Sequence, residues 1–149
     1  MLHIVHDDLF DSPAECLTNP VNTIGVLGKG LALQFKQRFP ALEQPYRAAC
    51  RSGQLSTIQP WLWHSGHQYV LCFATKTDWR LPSRLDYIER GLQYIWKNAS
   101  TYPFKTLSLP LLGCGLGGLT PNMVIPAIVK YLTPLPLDCY LHIPDEPPA

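Results

Sequence analysis

Apolar positions along this chain fall into short runs that alternate with longer stretches of helical spacing. The runs Leu2–Val5, Cys16–Val21, Gln59–His64, Tyr69–Ala74, Thr106–Leu111 and Cys139–Ile143 predict strands. Leu31, Phe35 and Phe39 recur every four residues and predict a helix from near Gly30 that stops at Pro40. A second helix is predicted over Ala41–Arg51, closed by Gly53. A third opens at Ser83 as its cap, with Asp86 three residues on as a short capping-box variant and Ile88, Leu92 and Ile95 as its buried stripe. The fourth takes Thr120 as N-cap and Pro121 as its first residue, with Val124, Ile128 and Leu132 turned inward. Ser65–Gly66 joins two of the strands into an antiparallel hairpin. The pattern predicts an α/β domain: a mixed sheet flanked by helices on both faces.

Two strand ends run into glycine-rich turns and then towards a helix: Pro20–Gly30, PVNTIGVLGKG, and Pro110–Leu119, PLLGCGLGGL. Glycine lets the backbone reach positive φ and come close to a ligand, so several N–H groups can converge on one anion. The helix that follows adds free N–H groups and the positive end of its dipole. Two such cradles in one short chain point to a diphosphate held between them. Neither fits a mononucleotide signature. The first lacks GxxxxGK[ST], and the second comes late, without a preceding βαβ half or an acidic ribose ligand about 20 residues on.

Composition narrows the field. The chain has 149 residues, enough for one domain with its own core, and the last six, Pro144–Ala149, read as a loose tail. Its net charge of +1 excludes a duplex-coating protein, so any nucleic-acid contact is local. Cys16, Cys50, Cys72, Cys114 and Cys139 show no metal-ligand spacing and read as reduced, mostly buried thiols of a cytosolic protein. No signal peptide or membrane span is legible. Neither a metal nor a cofactor is expected.

Several side chains stand where chemistry is possible. Lys76 follows the buried run YVLCFAT, at the strand end where open α/β sheets place their ligands. Desolvated there, a lysine serves as base or nucleophile; left in the polar loop Thr75–Arg80, it is ordinary surface charge. Asn22 can bond a ribose hydroxyl or close an Asx turn. Asp8, in HDDLF, can accept from an adenine amine or simply be a surface carboxylate. Lys29, between two glycines, can neutralise a phosphate or be loop charge. Trp79, Arg80 and Arg84 suit a stacked base with flanking phosphates, or else a Trp packed on the next helix. The histidines form no catalytic grouping, and His64 and His67 are expected to be solvated.

Taken together, NPVNTIGVLGKGLALQFKQRFP, FATKTDWRLPSRLDYIERGL and LPLLGCGLGGL resemble the macrodomain family. Within it they are similar to the DarG-type DNA ADP-ribosyl glycohydrolases, a group related to the human terminal ADP-ribose glycohydrolase. The resemblance covers most of the chain and implies a three-layer α/β/α sandwich with ADP-ribose as ligand. It implies Asp8 and Leu9 at the adenine, and Asn22 and Thr23 at the distal ribose. Gly25, Val26, Gly28, Lys29 and Gly30 would form the first phosphate loop. Thr75 and the stretch of Pro110, Leu112, Gly113, Cys114, Gly115, Leu116 and Gly117 would complete the site around diphosphate and ribose. Lys76 and Asn22 match catalytic positions. Trp79, Arg80, Ser83 and Arg84 fall where the DNA would lie.

Two departures matter. The human relative carries a catalytic aspartate where this chain has Gly117, which favours the DNA-directed branch. Full DarG proteins also continue beyond the macrodomain, so this chain is a stand-alone enzyme, a truncated piece, or a relative that relies on hydrolysis alone. The resemblance implies removal of ADP-ribose from a base of single-stranded DNA, most plausibly thymidine, opposite an ADP-ribosyltransferase toxin. A cytoplasmic monomer is expected. A non-catalytic ADP-ribose reader and an enzyme acting on modified protein remain alternatives.

Overall fold

Strand β2 (Cys16–Val21) organises the molecule, because the chain passes to one side of it and then to the other. The computed structural model describes residues 1–144. After β1 (Leu2–Val5) and β2 come α1 (Gly30–Arg38), α2 (Glu43–Ser52), β3 (Trp61–Ser65) and β4 (Gln68–Ala74). Then follow α3 (Leu85–Asn98), β5 (Thr106–Pro110), α4 (Pro121–Leu132) and β6 (Asp138–His142). One six-stranded sheet results, in the order β1-β6-β5-β2-β4-β3. The hairpin pair β3–β4 is antiparallel and every other pairing is parallel.

Two apolar layers hold helices to the faces of this sheet. On one face Ile88, Leu92 and Ile95 of α3 and Val124, Ile128 and Leu132 of α4 pack on Leu71, Phe73, Leu107 and Leu109. On the other, Phe35 of α1 and Tyr46 and Ala49 of α2 cover Leu17, Val21, Val70 and Cys72. Full burial stabilises by roughly 1.5–3 kcal/mol for each such large side chain. Helix α3 can lie close to β4 because Gly91 leaves no Cβ to collide with the Phe73 ring.

The functional opening follows from strand pairing. Strand β2 pairs with β4 along its whole length, from Cys16↔Tyr69 to Val21↔Ala74. With β5 it pairs only at Cys16↔Leu107 and Leu17↔Ser108, and beyond that the two strands part. A crevice therefore opens outside the C-terminal ends of β2, β4 and β5, where the connections reverse direction.

Expected element positions hold, with limits that move by one or two residues. Thus β3 starts at Trp61 rather than Gln59, whose backbone instead bridges to Ser56. Gly53 closes α2 in the left-handed conformation, at φ 79°. One cap assignment needs correction. Ser83 does not cap α3: Arg84 is the cap residue, Asp86 pairs with the Arg84 guanidinium, and Ser83 is drawn inside. Thr120 stands at the cap of α4 but makes no side-chain bond to it. All five cysteines are free thiols, three of them buried and Cys50 and Cys114 half-buried. Among the described residues no helix is long and apolar enough to cross a membrane. The expected tail lies, from Asp145 onward, outside the described residues.

Candidate active site

The first cradle is shaped by one amide. Asn22, just past β2, accepts at Oδ1 from Gly25 N–H (3.1 Å) and Val26 N–H (3.2 Å) and donates from Nδ2 to the Val26 carbonyl (2.8 Å). The buried Tyr46 hydroxyl lies 2.7 Å from the Asn22 carbonyl and 3.1 Å from its Oδ1. Arg47 Nε ties down the Gly25 carbonyl at 3.2 Å, and Gly25 turns the chain at φ 93°. Lys29 stands at the cap of α1 without a side-chain bond, and the first i→i−4 bond runs from Leu33 N–H to the Lys29 carbonyl. The N–H groups of Gly30, Leu31 and Ala32 thus have no partner within the helix, and these three residues line the crevice. A helix start with free N–H groups is a favourable environment for negative charge.

The second cradle has little side-chain support. Gly113, Gly115 and Gly118 all take positive φ, at 76°, 70° and 85°. Backbone bonds fold the loop on itself: Cys114 N–H to Leu111 (3.3 Å), Gly118 N–H to Gly115 (3.1 Å) and Leu119 N–H to Gly113 (3.0 Å). Ser83 anchors it, donating its N–H to the Gly117 carbonyl (2.9 Å) and its hydroxyl to Thr75 Oγ1 (3.1 Å). A side chain at Gly117 would strike Ser83 Oγ and lie 3.0 Å from Ser83 Cβ. The loops meet where Leu116 Cδ1 comes within 3.1 Å of the place a Gly30 Cβ would take.

Between them lies a cavity of about 280 Å³. Thr75 is locked at its floor: its N–H donates to Val21 (3.0 Å) and its carbonyl accepts from Arg84 N–H (3.0 Å). Lys76, next along, is half-buried and lines the cavity. Among the described residues no carboxylate or imidazole lines it; its ionisable groups are Lys29, Lys76 and the Cys114 thiol, which burial pushes up from its ordinary pKa. At the mouth Trp79 is 46% exposed, with Lys29 Nζ 5.7 Å and Arg80 Cζ 5.6 Å from its ring centroid.

Residues 18–128 match the family model described as Macro domain. The chain belongs to the macrodomain family. It is 42% identical over 123 residues to the DNA ADP-ribosyl glycohydrolase of Thermus aquaticus, covering 80% of this chain and 34% of that protein. The solved macrodomain of Thermus aquaticus DarG superposes with a TM-score of 0.90 at 37% identity, covering 97% of this chain and 99% of that one. Thermosipho africanus DarTG in complex with ADP-ribose superposes with a TM-score of 0.87, also at 37% identity, covering 99% of this chain and 43% of that one. The macrodomain spans 34% to 42% of the length of the curated relatives it matches.

Most of the expected site residues share the cavity of this macrodomain. Asn22, Val26, Gly28, Lys29 and Gly30 line it from the first loop; Gly113, Cys114, Leu116 and Gly117 line it from the second. Thr75, Lys76, Trp79 and Ser83 complete that set. Ser83 is a correction: buried at 5% exposure, it faces the cavity and not an outer DNA surface. Outside the lining stand Thr23, which is tied to the Thr77 carbonyl, Gly25, Pro110, Leu112 and Gly115. Leu9 is core, and the exposed Asp8 caps a 3-10 turn by accepting from Phe10 N–H at 2.8 Å. Arg80 and Arg84 lie outside too, each in a two-pronged ion pair, with Asp78 and Asp86. Arg80 holds the Asp78 carboxyl down to about 2. Sequence reasoning missed Pro20, Val21, Leu31, Ala32 and Leu111 in the lining. The first turn of α1 could have been inferred, since its N-terminus was already expected to face the anion.

Proposed function

We propose that this macrodomain is a hydrolase that cleaves the N-glycosidic bond between ADP-ribose and a base of single-stranded DNA, thymidine being the favoured base. The observation that carries the reading is the convergence of two glycine-rich loops and the N-terminus of α1 on one cavity, with Lys76 and the exposed Trp79 indole in its lining. The cradles supply binding energy remote from the bond to be broken and position the distal ribose. Lys76 acts at the ribose C1″, and Trp79 offers a stacking face to the departing base. Asp8 takes the adenine amine with the carboxylate oxygen that the turn leaves over. The names of the DNA ADP-ribosyl glycohydrolase relatives support this assignment. Such a substrate requires an enzyme that attaches ADP-ribose to DNA, so the partner in the cycle is an ADP-ribosyltransferase. A cytoplasmic monomer fits the free thiols.

The test is release of ADP-ribose from an oligonucleotide carrying ADP-ribosylated thymidine, followed by gel shift. Lys76→Ala is expected to slow release by at least about 100-fold while ADP-ribose affinity, measured by calorimetry, stays within about threefold. Equal activity in the variant removes Lys76 from the chemistry.

A second reading has its own observation. Among the described residues no carboxylate lines the cavity to assist Lys76, and the Asn22 side chain is largely taken up in its own loop. Both suit a module that binds ADP-ribose without turnover. Tight binding by the wild type with no release from DNA or from modified protein would select it.

A further inference from the structure

Beside the site, under the turn that follows β1, runs a chain of polar side chains that no step above uses. His142, the last residue of β6, has a side chain only 5% exposed. Its Nδ1 lies 3.1 Å from the Asp7 carbonyl and 3.3 Å from Asp7 Oδ1. Both are acceptors, so Nδ1 carries a proton and donates. Its Nε2 lies 3.0 Å from Ser108 Oγ on β5, and Ser108 Oγ lies 2.6 Å from Ser12 Oγ. Ser12 Oγ in turn accepts from Ala14 N–H at 3.1 Å. With Nε2 unprotonated the bonds run from Ala14 N–H to Ser12, Ser12 to Ser108 and Ser108 to Nε2; with Nε2 protonated they run from Nε2 to Ser108 and from Ser108 to Ser12. In either arrangement Nδ1 donates to Asp7 and Nε2 keeps its bond to Ser108.

Carboxylate, imidazole and hydroxyl stand here in the order of a hydrolytic triad. Ser108 is completely buried, so no substrate reaches its oxygen and a nucleophilic role is excluded. What the chain grips is the turn. Asp7 and Ser12 bracket the 3-10 turn Leu9–Asp11, one tied to β6 and the other to β5. Asp8, the cap of that turn, is thereby held at both ends, with Oδ1 bonded to Phe10 N–H.

We infer that His142 is a positioning residue for the purine end of the ligand: through the Asp7 carbonyl it fixes the turn so that the second carboxylate oxygen of Asp8 meets the exocyclic amine of adenine. The inference rests on the reading of Asp8 given above. Ser108 serves it by keeping the Nδ1 proton pointed at Asp7.

Two substitutions of the full chain separate this role from mere structure. Asn at 142 places an amide N–H near the Nδ1 position and keeps the Asp7 bond. Gln reaches the Nε2 position, keeps Ser108 and abandons Asp7. Affinities for ADP-ribose and for its inosine analogue, which has an oxygen in place of the amine, are measured by calorimetry alongside melting temperatures. The wild type is expected to prefer ADP-ribose by about tenfold, the scale of one hydrogen bond to a charged group. His142→Gln brings the ratio close to one, and His142→Asn restores most of it, although both lose Tm. A Gln variant that keeps the preference, or two variants that lose it alike, overturns the positioning role. A wild type that binds ADP-ribose without preference overturns it through Asp8, leaving the ADP-ribose site intact. A wild type that does not bind ADP-ribose removes the site as well.

Discussion

In the loop after β2 a single side chain gathers the hydrogen bonds: Asn22 reaches Gly25, Val26 and Tyr46, and Arg47 adds a bond to Gly25. In the loop after β5 the work is done by atoms that are missing. Gly113 lies so close to Ile88 and Leu119, and Gly117 to Ser83, that a side chain at either would force its neighbours to shift, and the loop's own backbone closes it. Both line one cavity. The first can be loosened one bond at a time, whereas the second resists a methyl at Gly113 or Gly117.

The sharpest way to break the comparison is to fill the second loop. Gly113→Ala puts a methyl 2.8 Å from two side-chain methyls at a φ of 76°, and is expected to cost roughly 2–4 kcal/mol in a urea melt. An unchanged midpoint would show that loop to be adaptable. Asn22→Ala strips the first loop and takes the side-chain partner from the Gly25 and Val26 N–H groups and the Val26 carbonyl, a loss of about 2–3 kcal/mol. Its ligand effect sharpens the contrast. If Asn22 organises the loop, ADP loses affinity as well as ADP-ribose; an unchanged ADP affinity would return Asn22 to the distal ribose alone. Tyr46→Phe withdraws one supporting hydroxyl and is expected to cost about 1 kcal/mol, with a small loss of ADP affinity.

The smallest effect concerns the rim outside both loops. The folded-state pKa of Asp78 is depressed by Arg80, so the pair persists above the ordinary carboxylate range and is lost only as pH falls towards about 2. At neutral pH a DNA phosphate must compete with that carboxylate. Asp78→Asn frees Arg80 and is expected to tighten oligonucleotide binding by about threefold at low salt, with a steeper salt dependence. No change would mean that Arg80 does not meet the strand.

What the sequence disclosed follows from which interactions are local. Periodicity located all six strands and four helices, because burial writes its spacing directly: Ile88, Leu92 and Ile95, or Val124, Ile128 and Leu132. The glycines marked both cradles for the same reason, since positive φ is a property of the residue itself. Partnerships across the fold left no such trace. Ser83 reads as a helix cap beside Asp86, yet its bonds go to Thr75 and Gly117, a strand end and a distant loop. Asn22 reads equally as ribose ligand or Asx turn, and only the position of Tyr46 shows how much of its amide is engaged. His142 gave no signal at all, because Asp7 and Ser108 approach it only when β1, β5 and β6 lie side by side.

A cradle made of peptide groups has one property that a cradle of lysines or histidines would lack. Peptide N–H groups do not titrate across the range in which proteins stay folded, and no carboxylate or imidazole among the described residues lines this cavity. Whatever anion these N–H groups hold, their share of the grip is set by geometry and does not change with acidity. A bend in a pH profile of this protein therefore reports on its side chains and not on these peptide groups.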